Sequence, residues 1–369
     1  MNESKATRYQ RLRRRTQVIS LAAGCGLLLL VTLTPAGEWL AEVSAGLALA
    51  WPSAVRPAIA VTIFVGSLAV AAEAVALPIA IVAAARASKR ARRMDVPAES
   101  LWASQTRDAL AGALIALLVA GVIRLAMWAG GPWWWALASV MLACSTLAAL
   151  GLVSLGLSLS GQTRPLTRTS LVEPLTALSE RACGRTVPVR EWTPASPTGA
   201  AAVVTGIGGV VKILLSTEMV RDWAEDEIAV VVAHELSHHA HHDLARKVGV
   251  DAALWCVTLG VADRIVTAWG PALRVYAVTD LAALPLLTLA AGAIWGVLRP
   301  IRLAQSRAHE RRADQFALKL TGNSEAFARA LRRLGDAHFV EERPSRLTRW
   351  FFHRHPTVEE RLAVSARRQ

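Results

Sequence analysis

Apolar runs long enough to cross a bilayer constrain this chain more than any single motif does. A spanning helix needs about 20 mainly apolar residues. Four segments qualify directly: Val18 to Thr34, Pro57 to Ala85, Ala109 to Ala129 and Trp133 to Ser160. Ala252 to Trp269 and Tyr276 to Leu298 follow, although the first of these carries Asp263 and Arg264. Composition agrees, with 53% of residues hydrophobic and only 19% charged in a chain of 369. That apolar excess rules out a disordered chain, and a water-soluble core of this size would not need it. Four cysteines are scattered without a CxxC or a pairing pattern, so a disulfide scaffold is ruled out as well.

The formal charge of +13 raises a nucleic-acid reading, and the placement of the charges removes it. Lys5, Arg8, Arg11 and Arg13 to Arg15 precede the first span, while the connection after it holds only Arg56. Arg86, Lys89, Arg90, Arg92 and Arg93 follow the second, and Arg164 and Arg168 follow the fourth. Basic residues gather on the cytoplasmic side of a spanning protein, so the alternation places both termini there. Met1 to Thr34 also resembles a signal peptide, but no small-residue cleavage site ends the run, and its loss would invert the parity of the other spans. An integral, multi-pass protein of the plasma (inner) membrane is expected, with the lipid bilayer as a partner and no nucleic acid.

The spans divide the chain into a membrane region, 1–160, a polar piece, 161–251, two further spans, 252–298, and a second polar piece, 299–369. The two polar pieces must meet if they form one site. In the first, the pattern predicts a helix near Val172 to Ala182, a strand Val187 to Trp192, a turn at Pro194 to Pro197, and two β-rich runs, Ala200 to Val204 and Val210 to Leu215, joined by Gly206, Gly208 and Gly209. A long helix follows, and Glu225, Asp226 and Glu227 suit its positive dipole end. Within the membrane region Glu73 and Arg124 are costly in hydrocarbon. They are expected to point into the bundle, either as a pair or lining a wet chamber.

That long helix runs into VVAHELSHHAHHD, where His234, Glu235 and His238 form HExxH. Positions i and i+4 share a helix face, so two imidazoles can grip one Zn²⁺ while the intervening glutamate reaches a water on it. A solvated histidine-rich face is the competing account of the same residues, and it fits His239, His241 and His242 better than a ligand role does. Catalytic zinc takes three protein ligands and leaves one position open. The extended HExxHxxGxxH spacing fails, because His241 and Leu244 stand where Gly and His would be. A glutamate from another helix is the other supply, and SRAHERRAD offers Glu310 as ligand with Asp314 one turn on. Asp314 can accept a hydrogen bond from a ligating histidine's other ring N–H.

HELSH, SRAHERRAD and then His355, Pro356 and Arg361 in HPTVEER together resemble the integral-membrane zinc metallopeptidase family that includes HtpX and the type I CAAX prenyl protease. The likeness covers roughly Val187 to Val364. It implies His234, His238 and Glu310 as zinc ligands, Glu235 as catalytic acid/base, Asp314 as orienter, and His355 and Arg361 as substrate neighbours. It also implies a strand that pairs with an extended substrate. Thr205 and Gly206 match that strand, while Ala201 replaces a common asparagine; Ser237 replaces a frequent glycine in the helix. The fold expected is mainly α: a polytopic membrane helix bundle with a cytoplasmic gluzincin-type zinc protease domain carrying a small β-sheet.

The activity expected is endopeptidase cleavage of protein or peptide substrates at the cytoplasmic face, in membrane-protein quality control or peptide processing. Glu235 would take the attacking water's proton and hand it to the leaving amine. His355 or Arg361 would face the developing oxyanion, although HPTVEER also reads as an ordinary helix start with Pro356 in its first turn. A signalling protease of the membrane-sensor type is an alternative, weakened by the short outer connections. A non-catalytic zinc scaffold or a transporter is another. Transporters bind at mid-bilayer, and these histidines lie outside the spans.

Overall fold

The computed structural model describes residues 5–91, 98–159, 163–193, 202–206, 211–337 and 345–366. In chain order the helices are α1 (Lys5–Leu33), α2 (Ala36–Ala48), α3 (Arg56–Ala91), α4 (Ala98–Gly130), α5 (Trp134–Leu159), α6 (Val172–Cys183), α7 (Thr217–Asp222), α8 (Glu225–Ala240), α9 (Asp243–Trp269), α10 (Ala283–Thr321), α11 (Ser324–Ala337), α12 (Arg346–Phe352) and α13 (Val358–Ala366). Four short strands accompany them: β1 (Thr163–Arg164), β2 (Val189–Trp192), β3 (Ala202–Thr205) and β4 (Lys212–Ser216). The protein is thus mainly α with one small sheet, as its sequence predicts. The chain groups into two compact units, one of Met1–Gln10, Ala143–Asp251 and Arg299–Gln369, the other of Arg11–Leu142 and Ala252–Leu298.

In the second of these units α2 packs on α3 and α3 on α4. Leu110, Leu114, Leu118 and Trp128 of α4 are exposed, an outward apolar surface that suits lipid rather than water. Its core includes Ile123, Met127, Trp134, Leu259, Val266 and Leu287. Asp263, the awkward acid of the expected fifth span, accepts a hydrogen bond from the Trp134 indole at 2.9 Å, which supplies the partner a carboxylate in this setting needs. Arg124 donates to the backbone carbonyl of Thr279. Glu73 is exposed, and no Glu73–Arg124 ion pair is present among the described residues, so the expected pairing does not form. Gly270 closes the turn after α9, where a Cβ would sit 2.4 Å from the Val266 carbonyl oxygen.

Length and composition qualify three stretches as spans, Arg56–Ala76, Ala109–Val153 and Ala283–Thr321, and a fourth if Val18–Leu33 and Ala36–Ala48, bent by 83°, count as one. Six were expected. Part of the difference is one of joining: a straight helix over the 45 residues of Ala109–Val153 would run about 68 Å, more than twice a bilayer core. The helix breaks at Gly131, which adopts φ 50, so that stretch holds both the third and the fourth expected segments. The expected fifth segment lies in α9, which does not qualify.

The first unit gathers both polar pieces, 161–251 and 299–369, into one body. Its sheet runs β1-β2-β4-β3, with β2 and β4 parallel and the other two pairs antiparallel. β1 was not anticipated, being only two residues long. It is secured by Glu191 of β2, buried, which accepts from Arg164 at 2.5 Å and from the Thr167 hydroxyl at 2.7 Å. The expected turn at Pro194 to Pro197, together with Ala201, Gly208 and Gly209, lies outside the described residues. A core of Leu171, Leu175, Ile213, Leu215, Met219, Ile228, Val232 and Leu236 fills the space between sheet and helices. α8 lies between α6 and α11, and this places the histidine motif on a helix held from two sides.

Candidate active site

The site is built on α8, and its N-terminus explains how that helix is held. Glu227 accepts from the Ala224 backbone N–H at 3.3 Å, one of the donors a helix start leaves unpaired. Arg333 of α11 donates to the same carboxylate at 2.8 Å, and Arg329 donates to Asp226 at 2.5 Å. The acidic first turn thus serves both the dipole and the neighbouring helix. Ile228, Val232 and Leu236 are buried on the core face. His234 and His238 then emerge together on an adjacent face, as a four-residue spacing requires.

Glu310 of α10 arrives opposite them. Its Oε2 is 3.4 Å from His234 Nε2, its Oε1 is 3.7 Å from His238 Nε2, and one donor atom from each of the three residues lies within 4.8 Å of the others. Tetrahedral ligands about 2.0 to 2.2 Å from zinc lie roughly 3.3 to 3.6 Å apart, so this donor set fits that ion. A carboxylate stands at each opposite ring nitrogen, hydrogen-bonded at His238 but not at His234. His234 Nδ1 is 3.0 Å from Asp314 Oδ1, an oblique approach, and His238 Nδ1 is 2.9 Å from Asp243 Oδ2. Each carboxylate favours the tautomer whose Nε2 lone pair is directed toward Glu310.

Both carboxylates are anchored in turn. Asp314, buried, accepts from Arg361 Nε at 2.9 Å and Nη2 at 2.6 Å, a two-point pairing that fixes its plane. Asp243, also buried, accepts from Arg312. Asp243 was not anticipated from the sequence. α8 stops at Ala240, His242 adopts φ 52, and that left-handed residue turns the chain so that the first residue of α9 faces back toward His238. An Asp directly after a histidine run, opening a helix, was the available signal.

The remaining predicted residues are placed as follows. Glu235 neighbours the ligand face, and burial raises its carboxyl above the ordinary value while His234 and His238 oppose the rise. Burial opposes a charged His234, yet its interactions with Asp314 and Glu310 prevail and raise it to about 9. Burial likewise favours a protonated Glu310, but His234 and His355 hold it far below the usual carboxylate range. His355 Nδ1 lies 2.9 Å from Glu310 Oε2 with the ring well exposed. Arg307 steadies the backbone near it by donating to the His353 carbonyl at 2.9 Å. Arg361, expected beside the substrate, directs two of its nitrogens to Asp314 instead. The helix start also differs by one position: Thr357 caps α13 through a hydrogen bond from the Glu360 N–H at 3.2 Å, and Pro356 precedes the cap. Of the expected outer patch, His242 is exposed, while His239 and His241 are half-buried, His239 contacting Arg185 at 2.8 Å and His241 meeting the Phe316 ring edge-on.

A small sheet, a HExxH helix and a glutamate from a following helix form the pattern of a metallopeptidase, and the comparisons match part of the chain to such proteins. Residues 193–368 match the family model Peptidase family M48. The resemblance to the integral-membrane zinc metallopeptidases is therefore borne out. The "Uncharacterized metalloprotease YhfN" of Bacillus subtilis (strain 168) is 31% identical over 165 residues, 44% of this chain and 39% of that protein. The match therefore spans well under half of that relative's length. The crystal structure of S. mikatae Ste24p superposes with a TM-score of 0.65 over 88% of this chain and 79% of that one. At 19% identity the likeness is one of fold.

Proposed function

We propose that this chain is a membrane-embedded, zinc-dependent endopeptidase that hydrolyses protein or peptide substrates at the cytoplasmic face of the plasma membrane. In this reading the distribution of basic residues places the active site and both termini on the cytoplasmic side. The observation that carries it is the convergence of His234, His238 and Glu310 within 4.8 Å beside a half-buried Glu235. Zinc held by those three residues would supply a Lewis acid for the scissile carbonyl and for the attacking water.

The chain's own residues then have distinct work. Asp314 and Asp243 aim the two imidazoles. Glu235, whose raised carboxyl suits a general base near neutral pH, takes the proton of the attacking water and delivers it to the leaving amine. His355, as the imidazolium, has an Nε2–H free to donate to the oxygen that becomes negative, while Arg361 acts at one remove by holding Asp314. β3 is an edge strand of the sheet, and its outer side suits pairing with an extended substrate. Quality control of membrane proteins and peptide processing are both compatible with such a site. The non-catalytic scaffold has no use for a glutamate beside the ligands.

The test compares two glutamates. Glu310→Ala should strip zinc from the purified protein, since only two ligands remain. Glu235→Gln should retain zinc at about one per chain while cleavage falls at least about 100-fold. Loss of metal in both variants would make Glu235 structural and sink the mechanism.

A further inference from the structure

Beside the three converging donors lies a cavity of about 200 Å³ lined by Lys247, Arg302, Gln305, Ser306, His309, Arg354 and His355. Its charge is lopsided. Arg302 is matched by Asp251, which accepts at 2.6 and 3.2 Å, but no carboxylate pairs with Lys247 or Arg354 among the described residues. Three cations thus face one acid, and two positive charges stay unmatched. Lys247 registers this imbalance: burial, Arg302 and Arg354 all disfavour its charged form, against Asp251 alone. Like-charged side chains are not drawn together by one another, so a cavity that collects them is suited to an anion.

Position narrows the anion. His355 belongs to both places, lining the cavity while its Nδ1 sits 2.9 Å from Glu310. Ser306 precedes Glu310 by one turn of α10, about 6 Å, and Arg302 precedes it by two, about 12 Å. An extended peptide advances about 3.3 Å per residue, so a group in the cavity belongs about two to four residues from a bond held at the donors. The volume suits one side chain or a chain end.

We propose that this cavity is a specificity subsite for a carboxylate of the substrate, carried either on an Asp or Glu side chain or on the free C-terminus, with Lys247 and Arg354 as its cationic contacts. The proposal rests on the peptidase reading above for what the bound peptide undergoes, but binding can be measured without turnover.

The experiment uses the full chain in detergent micelles, in the Glu235→Gln form for binding and unsubstituted for cleavage. The probes are fluorescent peptides in matched pairs, Glu against Gln at each position two to four residues from the cleaved bond, and C-terminal acid against amide. One pair should show binding at least about 10-fold tighter for the carboxylate form, the scale of a charge-assisted contact. Which pair responds identifies the source. Adding Lys247→Gln and Arg354→Gln should bring the ratio to about one. Salt near 1 M, where the Debye length is about 3 Å, should shrink the ratio without any further substitution and so guards against a misfolded variant. Equal binding of every pair, or a preference that survives both substitutions and salt, overturns the subsite. Preferential binding with no hydrolysis by the unsubstituted chain would instead remove the peptidase reading and leave the subsite standing.

Discussion

Asp314→Asn probes the site where stability and metal affinity meet. The carboxylate is buried, with Arg361 nitrogens at 2.6 and 2.9 Å on one side and His234 at 3.0 Å on the other. Asparagine keeps the shape and removes the charge, leaving the half-buried Arg361 guanidinium without its acid. Breaking one partner of a buried pair costs about 3 to 5 kcal/mol. Loss of a carboxylate that aims a ligating histidine lowers metal affinity about 10- to 100-fold. The pH dependence has a definite sign. Burial favours protonated Asp314, but His234 and Arg361 hold its carboxyl below the ordinary range. Its contribution is therefore complete above the unfolded carboxylate pKa of about 3.9 and fades as pH falls through the lower folded value. The variant's deficit should be full at neutral pH and close only in strong acid. Adding Arg361→Gln should recover much of the stability, since no lone charge is then buried, without recovering metal affinity. Thermal unfolding and competitive zinc titration against a chelating dye measure the two effects. Unchanged stability and unchanged affinity in Asp314→Asn would refute this account of the network, and recovery of both by Arg361→Gln would assign Asp314 to folding alone.

The same chemistry on the other histidine predicts that Asp243→Asn weakens zinc binding about 10- to 100-fold, read by the same titration; an unchanged affinity would reduce Asp243 to a partner of Arg312. Glu191→Gln should destabilise the first unit by about 1 to 3 kcal/mol in chemical denaturation, because Arg164 and Thr167 lose a charged acceptor. Burial raises the Glu191 carboxyl, but Arg164 and Thr167 outweigh it and lower the net value, so that difference should narrow in acid; a constant difference would contradict the charge argument. For sidedness, Ser306→Cys in intact cells should resist a membrane-impermeant thiol reagent and react after permeabilisation, measured over the background of the four native cysteines. Labelling from outside would reverse the orientation.

Much of this protein follows from local rules. A four-residue spacing puts His234 and His238 on one helix face in any α-helix, and Glu225 to Glu227 suit a helix start wherever it occurs, so α8 and its two imidazoles were legible. The long apolar stretches of α3, α4 with α5, and α10 were legible too, because exclusion of charge over about 20 residues is a property of the segment alone, while the expected span in α9 does not qualify. Glu310 was reached by chemistry, through the need for a third ligand, and only the packing of α10 against α8 brings it within 3.4 Å of His234. The rest depended on the folded chain. Asp243 reaches His238 because a left-handed His242 turns the backbone, and no residue periodicity encodes that reversal. Arg361 was expected to face substrate, yet 47 residues from Asp314 in sequence it meets that carboxylate at two points, since a buried acid requires a counter-charge and the fold supplies this one. The sheet order placing β3 at an edge is a matter of strand pairing within the first polar piece, whereas the cations of Lys247, Arg302 and Arg354 gather around one cavity only when the two polar pieces join in one body. Sequence determined which side chains could do the chemistry, because that is local; tertiary structure decided which partners hold them, because those contacts either close over long loops, as Arg361 does to Asp314, or need a backbone reversal, as Asp243 does to reach His238.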